Sequence, residues 1–293
     1  MRLHLIDGTY ELFRAHYSPR PGHQAPAGWD AKATVGVAAS LLALLNDPGE
    51  AVTHLAVAFD NPIRSFRNDL FAGYKSDEGV APELHAQFDT VEEAVRALGV
   101  VVWSMRDHEA DDALCTGARR FRDQVEQVRI MTPDKDLGQC LVGDRVVQVD
   151  RMRRTVTNEA TFRTNRGFDP ASMPDFLALT GDTADGIPGL PGFGDKSAST
   201  LLGAYQHIEK IPAFVHQWTV KPRGALQLAA TLAERRAEAL EYRVLATLVD
   251  DVPLAESLED LRFRGVPRAR FEAWCEQLGA TTVRTMVKRW EEG

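Results

Sequence analysis

Four short apolar runs, each followed closely by an acidic residue, constrain this chain more than any other feature of its sequence. The runs are Leu3 to Ile6 before Asp7, His54 to Phe59 before Asp60, Val100 to Trp103 before Glu109, and Val128 to Met131 before Asp134. Between them, Ala33 to Leu45 and Phe88 to Leu98 carry apolar residues at helical spacing. This alternation predicts an α/β fold with a doubly wound, mostly parallel sheet. Because ligands bind at the carboxyl ends of such strands, we expect the acids to share one site.

Composition limits the classes of protein that fit. The chain has 293 residues, of which 44% are hydrophobic, enough for one large or two small domains. An apolar run long enough to cross a bilayer and a secretory signal are both missing, so we expect a cytoplasmic protein without a membrane partner. The net charge of −8 argues against a nucleic-acid partner at first, but bound divalent cations would cancel part of it.

The second half of the chain differs in composition and in its pattern of apolar residues. After Asp150 comes an Arg-rich stretch at 151–154, then a helical segment around Phe176 to Leu179. The stretch GDTADGIPGLPGFGDKSASTLL at 181–202 is rich in Gly and Pro and leads directly into a helix, which predicts a tight hairpin between helices. We therefore expect an α/β domain over residues 1–180 and a helical region over 181–293.

Acidic residues gather in three further motifs. Glu109, Asp111 and Asp112 stand at a predicted helix start, where they could serve as N-terminal caps on a solvated face. Asp134 and Asp136 alternate in a turn after a buried strand, a composition common in loops, and Asp182 with Asp185 could form an ordinary Asp–Gly turn. With the first two strand ends, nine carboxylates fall at predicted strand ends or adjacent turns: Asp7, Asp60, Glu109, Asp111, Asp112, Asp134, Asp136, Asp182 and Asp185.

Carboxylates gathered without His or Cys favour hard cations. Acid-only sites select Mg²⁺ or Mn²⁺ over zinc. Two such ions about 4 Å apart activate a water and stabilise the leaving oxygen of a phosphodiester, as in nucleases and polymerases. We expect two, or three, of these ions at the acids above.

Five segments together resemble the 5′-nuclease superfamily, which includes flap endonucleases and the 5′-nuclease domain of bacterial DNA polymerase I. They are IDG at 6–8, FDNPIRSFRNDLFAGYK at 59–75, EADD at 109–112, TPDKDL at 132–137 and GDTADGIPGLPGFGDKSA at 181–198. The resemblance covers about the first two hundred residues. It implies a PIN-like α/β domain with a helical arch at about 62–100, a C-terminal helix-hairpin-helix (H3TH) region, and hydrolysis that leaves a 5′-phosphate.

The same resemblance implies roles for individual residues. Among the acids, Asp111, Asp134, Asp136 and Asp185 become direct metal ligands, while Asp112 and Asp182 act through water. Arg67 and Lys75 become catalytic cations near the scissile phosphate, with Tyr74 beside them as a stacking partner on DNA. The hairpin implies DNA-backbone contacts, and its carbonyls a bound K⁺. The residues concerned are Gly189, Gly192, Gly194, Lys196 and Ser197. Arg151, Arg153 and Arg154 could extend this surface or form a solvated hairpin.

One departure and two rival functions stay open. Relatives carry an arginine a few residues beyond the YK pair, whereas Glu78 follows here, which puts flap threading in doubt. The favoured hypothesis is a monomeric, nucleoid-associated DNA 5′-nuclease acting in replication and repair on 5′ ends, flaps, nicks, gaps or RNA primers. The rivals are a PIN-type ribonuclease and a catalytically silent branched-DNA binding protein.

Overall fold

The structure is a computed structural model that describes residues 1–292 and divides into two compact units. The first unit contains Met1–Arg64, Asp77–Thr132 and the chain from Asp250 onward, and the second contains Ser65–Ser76 and Pro133–Val249. The sequence-based boundary near residue 180 is a single cut, whereas the chain leaves and re-enters each unit. None of the described helices is long and apolar enough to cross a membrane.

The first unit is an α/β layer built on four strands. Its elements are β1 Arg2–Asp7, α1 Gly8–Tyr17, α2 Lys32–Leu45, β2 His54–Asp60, α4 Pro82–His85, α5 Phe88–Ala97, β3 Val101–Met105, α6 Ala110–Phe121, β4 Gln127–Met131, α11 Arg268–Leu278 and α12 Thr281–Thr285. The strands pair in the order β3-β2-β1-β4, all parallel. All four strands expected from the apolar runs are therefore confirmed.

This strand order creates a switch point beside β1. The chain moves outward through β2 to β3 and then returns to β4 on the other side of β1. Ligands of doubly wound sheets bind where the order reverses, at the carboxyl ends of the strands. Asp7 ends β1 at this point, and Thr132, which follows β4, donates its hydroxyl to Asp7 Oδ2 at 2.9 Å.

Burial on both faces explains why β2 is apolar without alternation. All seven residues of β2 are buried, as expected for a parallel strand covered on both sides. Glycine is required at position 8, where β1 turns into α1, because a Cβ there would lie 2.5 Å from the Phe59 ring and 2.7 Å from the Ala58 carbonyl. The IDG motif thus lets the β1 end approach β2 closely.

The segment after Asp250 returns to the sheet of the first unit. Leu55 N donates to Leu261 O, and Phe263 N donates to Thr53 O, both at 2.9 Å. We expected this segment within the helical region over 181–293, whereas these two hydrogen bonds join it to the sheet of the first unit. Alternation of buried Leu261 and Phe263 with exposed Arg262 and Arg264 is a strand-like pattern that could have indicated it.

The second unit is mainly helical and has its own core. Its elements are α3 Arg67–Leu70, β5 Val146–Asp150, β6 Thr155–Thr157, α7 Glu159–Arg166, α8 Met173–Thr180, α9 Asp195–Tyr205 and α10 Ala225–Ala246, with 3-10 turns at Lys135–Cys140, Pro170–Ser172, Ile208–Lys210 and Val215–Gln217. Strands β5 and β6 pair antiparallel as a hairpin. The core lies among α8, α9 and α10, with Phe176, Leu201 and Leu232 buried. The helices expected on either side of the Gly-rich hairpin are therefore present.

A buried charged network lies at the amino ends of β1 and β4. His4 is fully buried and its Nε2 lies 3.0 Å from Glu50 Oε2, while Arg129 Nε lies 2.8 Å from the same oxygen. The hydrogen bond from His4 lowers the pKa of Glu50 to about 2, against the opposing effect of burial and with help from Arg129. Burial lowers the pKa of His4, so the neutral ring donates from Nε2.

We expect Glu50→Gln to destabilise the first unit in a pH-dependent way. The pKa of Glu50 in the folded state lies below its usual value of 4.5. The carboxylate therefore contributes its full stabilisation at every pH above 4.5. It is lost as pH falls toward about 2. Urea unfolding should show a deficit of about 1–2 kcal/mol in the variant at pH 7 that narrows below pH 4.5. A deficit that stays constant with pH would contradict this account.

Candidate metal centre

Three carboxylates of the second unit converge in space. Asp136, Asp182 and Asp185 each offer an oxygen, and these atoms all lie within 4.8 Å of one another. Asp136 and Asp182 are each 7% exposed, and Asp185 is partly buried. At an effective dielectric of ~20, each pair of charges 4–5 Å apart repels by about 3–4 kcal/mol. Such a cluster requires nearby positive charge.

Local turns hold these carboxylates in place. Asp134 caps the 3-10 turn at Lys135–Cys140 by accepting from Asp136 N at 2.9 Å. Asp182 accepts from Ala184 N at 2.9 Å and exchanges two main-chain hydrogen bonds with Ile187, both 2.8 Å. The acids are therefore displayed by rigid turns, the first of them immediately after the apolar β4 run.

Asp136 combines a buried, unpartnered oxygen with a raised pKa. Its Oδ1 is buried and accepts no hydrogen bond from the residues that the structure describes. Burial raises the pKa of Asp136 well above its usual value, and repulsion from Asp134, Asp185 and Asp182 raises it further. An unpartnered buried acceptor beside other carboxylates is the geometry that a cation would relieve.

Two lysines supply part of the positive charge. Lys135 Nζ lies 2.6 Å from Asp182 Oδ2 and Lys75 Nζ lies 3.1 Å from Asp185 Oδ1. Burial acts to lower the pKa of Lys135, but its hydrogen bond and ion pair with Asp182 outweigh this and raise it. With Asp134 included and all four acids ionised, the four acids and two lysines carry a charge of −2. That charge matches one divalent cation.

Hydrogen bonds to its main chain position Lys75 beside the acidic cluster. Lys75 N donates to Asp185 O at 3.0 Å, and Asn68 Nδ2 donates to Lys75 O at 2.8 Å. Gly186 makes this approach possible, because a Cβ there would lie 2.0 Å from Gly73 O and its φ is +75°. Lys75, the expected catalytic cation, thus lies beside Asp185, an expected metal ligand.

Arg67 is placed differently from the expectation. Its side chain is fully buried, with Nε donating to Leu245 O and Nη2 donating to Thr247 O, both at 2.8 Å. Gln139 Nε2 donates to Ala246 O at 3.2 Å, so the two side chains together cap the end of α10. A fully buried guanidinium occupied by main-chain carbonyls does not fit a cation that faces substrate.

We expect Arg67→Met to destabilise the second unit. The variant leaves two carbonyls at the end of α10 without their donors, which costs about 2–4 kcal/mol in the free energy of unfolding. Thermal unfolding should show a fall of several degrees, whereas Arg270→Met, at an exposed position of α11, should change stability by less than about 0.5 kcal/mol. An unchanged melting temperature combined with lost cleavage would instead favour the catalytic role.

The acids of the first unit also lie at strand ends, but helix termini engage them. Asp7 accepts from Tyr10 N at 2.8 Å, and Asp60 Oδ1 accepts from Ala110 N at 2.7 Å. Glu109 and Asp112 form a reciprocal capping box at the start of α6. The capping alternative for this motif is therefore realised, while Asp111 is half-buried in the first turn of α6. Metal binding by these acids remains a prediction.

The expected DNA contacts are exposed only in part. Tyr74 is 5% exposed and belongs to the core of the second unit, which does not fit a stacking platform. Gly192, Gly194 and Lys196 are exposed, whereas Gly189 is buried. The Gly194 amide already donates to Ser197 Oγ at 3.0 Å, so the helix cap uses that pair. Their roles in DNA binding also remain predictions.

Sequence reasoning missed several residues that position the site. Lys135, Asn68 and Gln139 were not singled out, although Lys135 stands between two of the predicted ligands. Its position between Asp134 and Asp136 could have indicated a charge partner for the acids. Asn68 and Gln139 had none, because their partners are main-chain carbonyls, including those of residues more than one hundred positions away.

The donor set fits a hard divalent cation. Three carboxylates with an unpartnered buried oxygen are typical ligands of Mg²⁺ or Mn²⁺, while the described residues place no His or Cys in this group. The fold and this group define an α/β protein with a candidate carboxylate metal centre.

The comparisons with known proteins agree with that class. Residues 2–167 match the family described as 5′-3′ exonuclease, N-terminal resolvase-like domain, and residues 168–269 match 5′-3′ exonuclease, C-terminal SAM fold. The chain belongs to the 5′-3′ exonuclease family.

Individual relatives and solved structures extend this result. A 5′-3′ exonuclease of Aquifex aeolicus is 29% identical, covering 89% of this chain and 86% of the relative. DNA polymerase I of Mycobacterium leprae is 33% identical over 94% of this chain, which spans only 30% of that polymerase. The T5 D15 protein, co-crystallised with metal ions, has a similar fold, with a TM-score of 0.67, 15% identity and coverage of 98% and 99%. The Rad2 catalytic core in complex with DNA substrate also has a similar fold, with a TM-score of 0.60 and 12% identity, covering 97% of this chain and 90% of that one.

Proposed function

We propose that this protein is a structure-selective, metal-dependent DNA 5′-nuclease with 5′-3′ exonuclease and 5′-flap endonuclease activity. The observation that carries the proposal is the buried Asp136, Asp182 and Asp185 group with Lys75 directed at it. The family assignment supports it, as do the fold neighbours, since T5 D15 is a flap endonuclease and the Rad2 catalytic core is bound to DNA substrate. The products are a 5′-phosphate and a 3′-hydroxyl.

The chain's own residues have three tasks in this reaction. Asp136, Asp182 and Asp185 hold a cation, and we propose two Mg²⁺ or Mn²⁺ ions in the working enzyme, with Asp7, Asp60, Glu109, Asp111, Asp112 and Asp134 as further candidate ligands. Bound ions supply a nucleophilic water and stabilise charge on the leaving oxygen. Lys75, held through its main chain, places a positive charge where the phosphate gains negative charge. Arg67 supports the segment that carries Lys75 and does not itself touch substrate.

The helix-hairpin-helix element supplies the proposed grip on duplex DNA. Exposed Lys196 follows the exposed Gly192 and Gly194 at the start of α9. Main-chain groups there would contact phosphates, with K⁺ held by loop carbonyls. The physiological substrates we propose are DNA with 5′ ends, flaps, nicks or gaps, and RNA primers, cleaved by a monomer.

One assay of the wild-type protein tests this function against its rivals. Labelled 5′-flap, nicked, gapped and RNA-primed duplexes, with a single-stranded RNA, are incubated with Mg²⁺, Mn²⁺ or EDTA. We expect cleavage near the junction in either metal and none in EDTA. Preferential cleavage of the RNA would favour a PIN-type ribonuclease. Binding without cleavage under every metal would favour the silent branched-DNA binding protein.

A further inference from the structure

The β5–β6 hairpin of the second unit ends in an arginine-rich turn that the proposed chemistry does not use. Pairing of Asp150 with Thr155 closes the hairpin, leaving residues 151–154 as its tip. Asp150 Oδ1 accepts from the amides of Met152 and Arg153, both at 2.9 Å, so the turn has a defined shape. Arg151, Arg153 and Arg154 are therefore displayed on a small rigid scaffold.

The charge on this hairpin is opposite to that of the whole chain. Residues 145–157 contain four arginines and one acid, whereas the chain carries a net charge of −8. The Arg153 side chain is 81% exposed and reaches Asp150 only at 3.7 Å. Arg154 is exposed and forms no ion pair within residues 1–292. An exposed pair at this distance is worth roughly 1 kcal/mol or less, so the guanidinium groups of Arg153 and Arg154 remain available to another anion.

A hydrogen bond ties the hairpin to the loop that carries the acidic cluster. Gln148 Nε2 donates to the main-chain oxygen of Asp134, two residues before Asp136. Three residues of extended chain separate Gln148 from Arg151, about 10 Å.

The exposed apolar groups of the hairpin favour an extended partner over a small ion. Met152 is 63% exposed and Val156 is 48% exposed. Nucleic-acid backbones offer sugars between their phosphates, and contacts to phosphate and sugar set position without reading sequence. Guanidinium groups match phosphate with two parallel hydrogen bonds.

We propose that Arg151, Arg153 and Arg154 form a phosphate-binding site for the DNA strand that the acidic cluster acts on. The site contributes affinity and position, independent of base sequence, and takes no part in bond breaking. This inference rests on the proposed nuclease function.

The salt dependence of DNA binding tests the hairpin directly. Dissociation constants for a labelled 5′-flap DNA are measured in EDTA at several NaCl concentrations, with two unrelated sequences. The triple variant R151Q/R153Q/R154Q should reduce the slope of log Kd against log [NaCl] by about 2–3, because each lost phosphate contact contributes about 0.9. Affinity in 0.1 M NaCl should fall 10- to 100-fold for both sequences, and kcat/KM by a similar factor.

Matched variants separate this site from a general effect of charge. R262Q/R264Q/R270Q removes three exposed arginines of the first unit and should change the slope by less than 0.5. The lysine triple R151K/R153K/R154K should keep the slope. A slope change below 1 in the glutamine triple, or an equal change in the control, overturns the proposal.

The proposal remains testable if the triple variant folds poorly or if the nuclease function is wrong. R153Q alone removes a guanidinium whose side chain is 81% exposed and lies 3.7 Å from Asp150. This variant should lower the slope by about 1 with an unchanged melting temperature. An unchanged slope in folded R153Q, when the triple does not fold, overturns the proposal. If the wild type binds DNA but cleaves nothing, the nuclease function fails, while the slope comparison still decides the hairpin site.

Discussion

Asp136→Asn should abolish metal-dependent cleavage and at the same time stabilise the metal-free protein. Cleavage should fall at least about 10³-fold, because the variant removes a charged ligand from the cluster. The melting temperature in EDTA should rise by a few degrees, since burial and three neighbouring carboxylates disfavour the charged form of Asp136. DNA binding in EDTA should be largely kept. Thermal unfolding, cleavage assays and binding titrations measure these three results.

Metal-induced stabilisation provides the internal control for Asp136→Asn. Wild type with Mn²⁺ at about 100 times its Kd should gain about 2.7 kcal/mol, and the variant should gain little of it. Asp123→Asn, at an exposed position of the first unit, should leave stability and cleavage near those of wild type. Full metal-induced stabilisation in Asp136→Asn would show that the cations bind elsewhere.

Lys75→Ala should lower kcat by about 10²–10³ while changing DNA affinity in EDTA only slightly. The lysine lies 3.1 Å from Asp185 and its main chain is fixed from both sides, so its charge is already positioned before substrate arrives. Removing it also removes a competitor for Asp185. We therefore expect the variant to bind Mn²⁺ at least as tightly as wild type. Single-turnover cleavage and metal titration followed by thermal shift measure the two effects.

Two further variants define what Lys75 contributes. Lys75→Arg keeps the charge in a different shape and should recover part of the rate. Lys210→Ala removes an exposed lysine of the same unit and should leave kcat unchanged. A loss of DNA affinity in Lys75→Ala equal to the loss of rate would make the residue a binding group only.

Much of the fold could be predicted because its signals are local. The runs beginning at Leu3, His54, Val100 and Val128 became parallel strands. The signal is clearest for β2, since a strand buried on both faces is apolar along its length. Helical spacing likewise predicted α2 and α5 to within one residue at each end. The pairing of the segment after Asp250 with β2 could not be predicted from local signals, because β2 lies about two hundred residues earlier in the chain.

The candidate site was predicted in its residue types but not in its division of roles. Asp136, Asp182 and Asp185 converge, as their turns suggested. Glu109 and Asp112 cap α6 instead of lying free, because the orphan amides of a helix start are strong competitors for a carboxylate. Arg67 and Tyr74 are buried, although their positions in a basic and aromatic motif resembled those of substrate contacts.

By itself the sequence determined the class of this protein: an α/β chain whose apolar strands end in acids, followed by a glycine-rich hairpin between helices. Those features depend on local chemistry, namely which residues suit a buried strand, a helix start or a tight turn. Only the tertiary structure decided which carboxylates form a buried cluster, that Lys75 and Lys135 neutralise part of it, and that Arg67 caps α10. These outcomes depend on distances between residues far apart in the chain, and on burial, which sets how strongly each charge needs a partner.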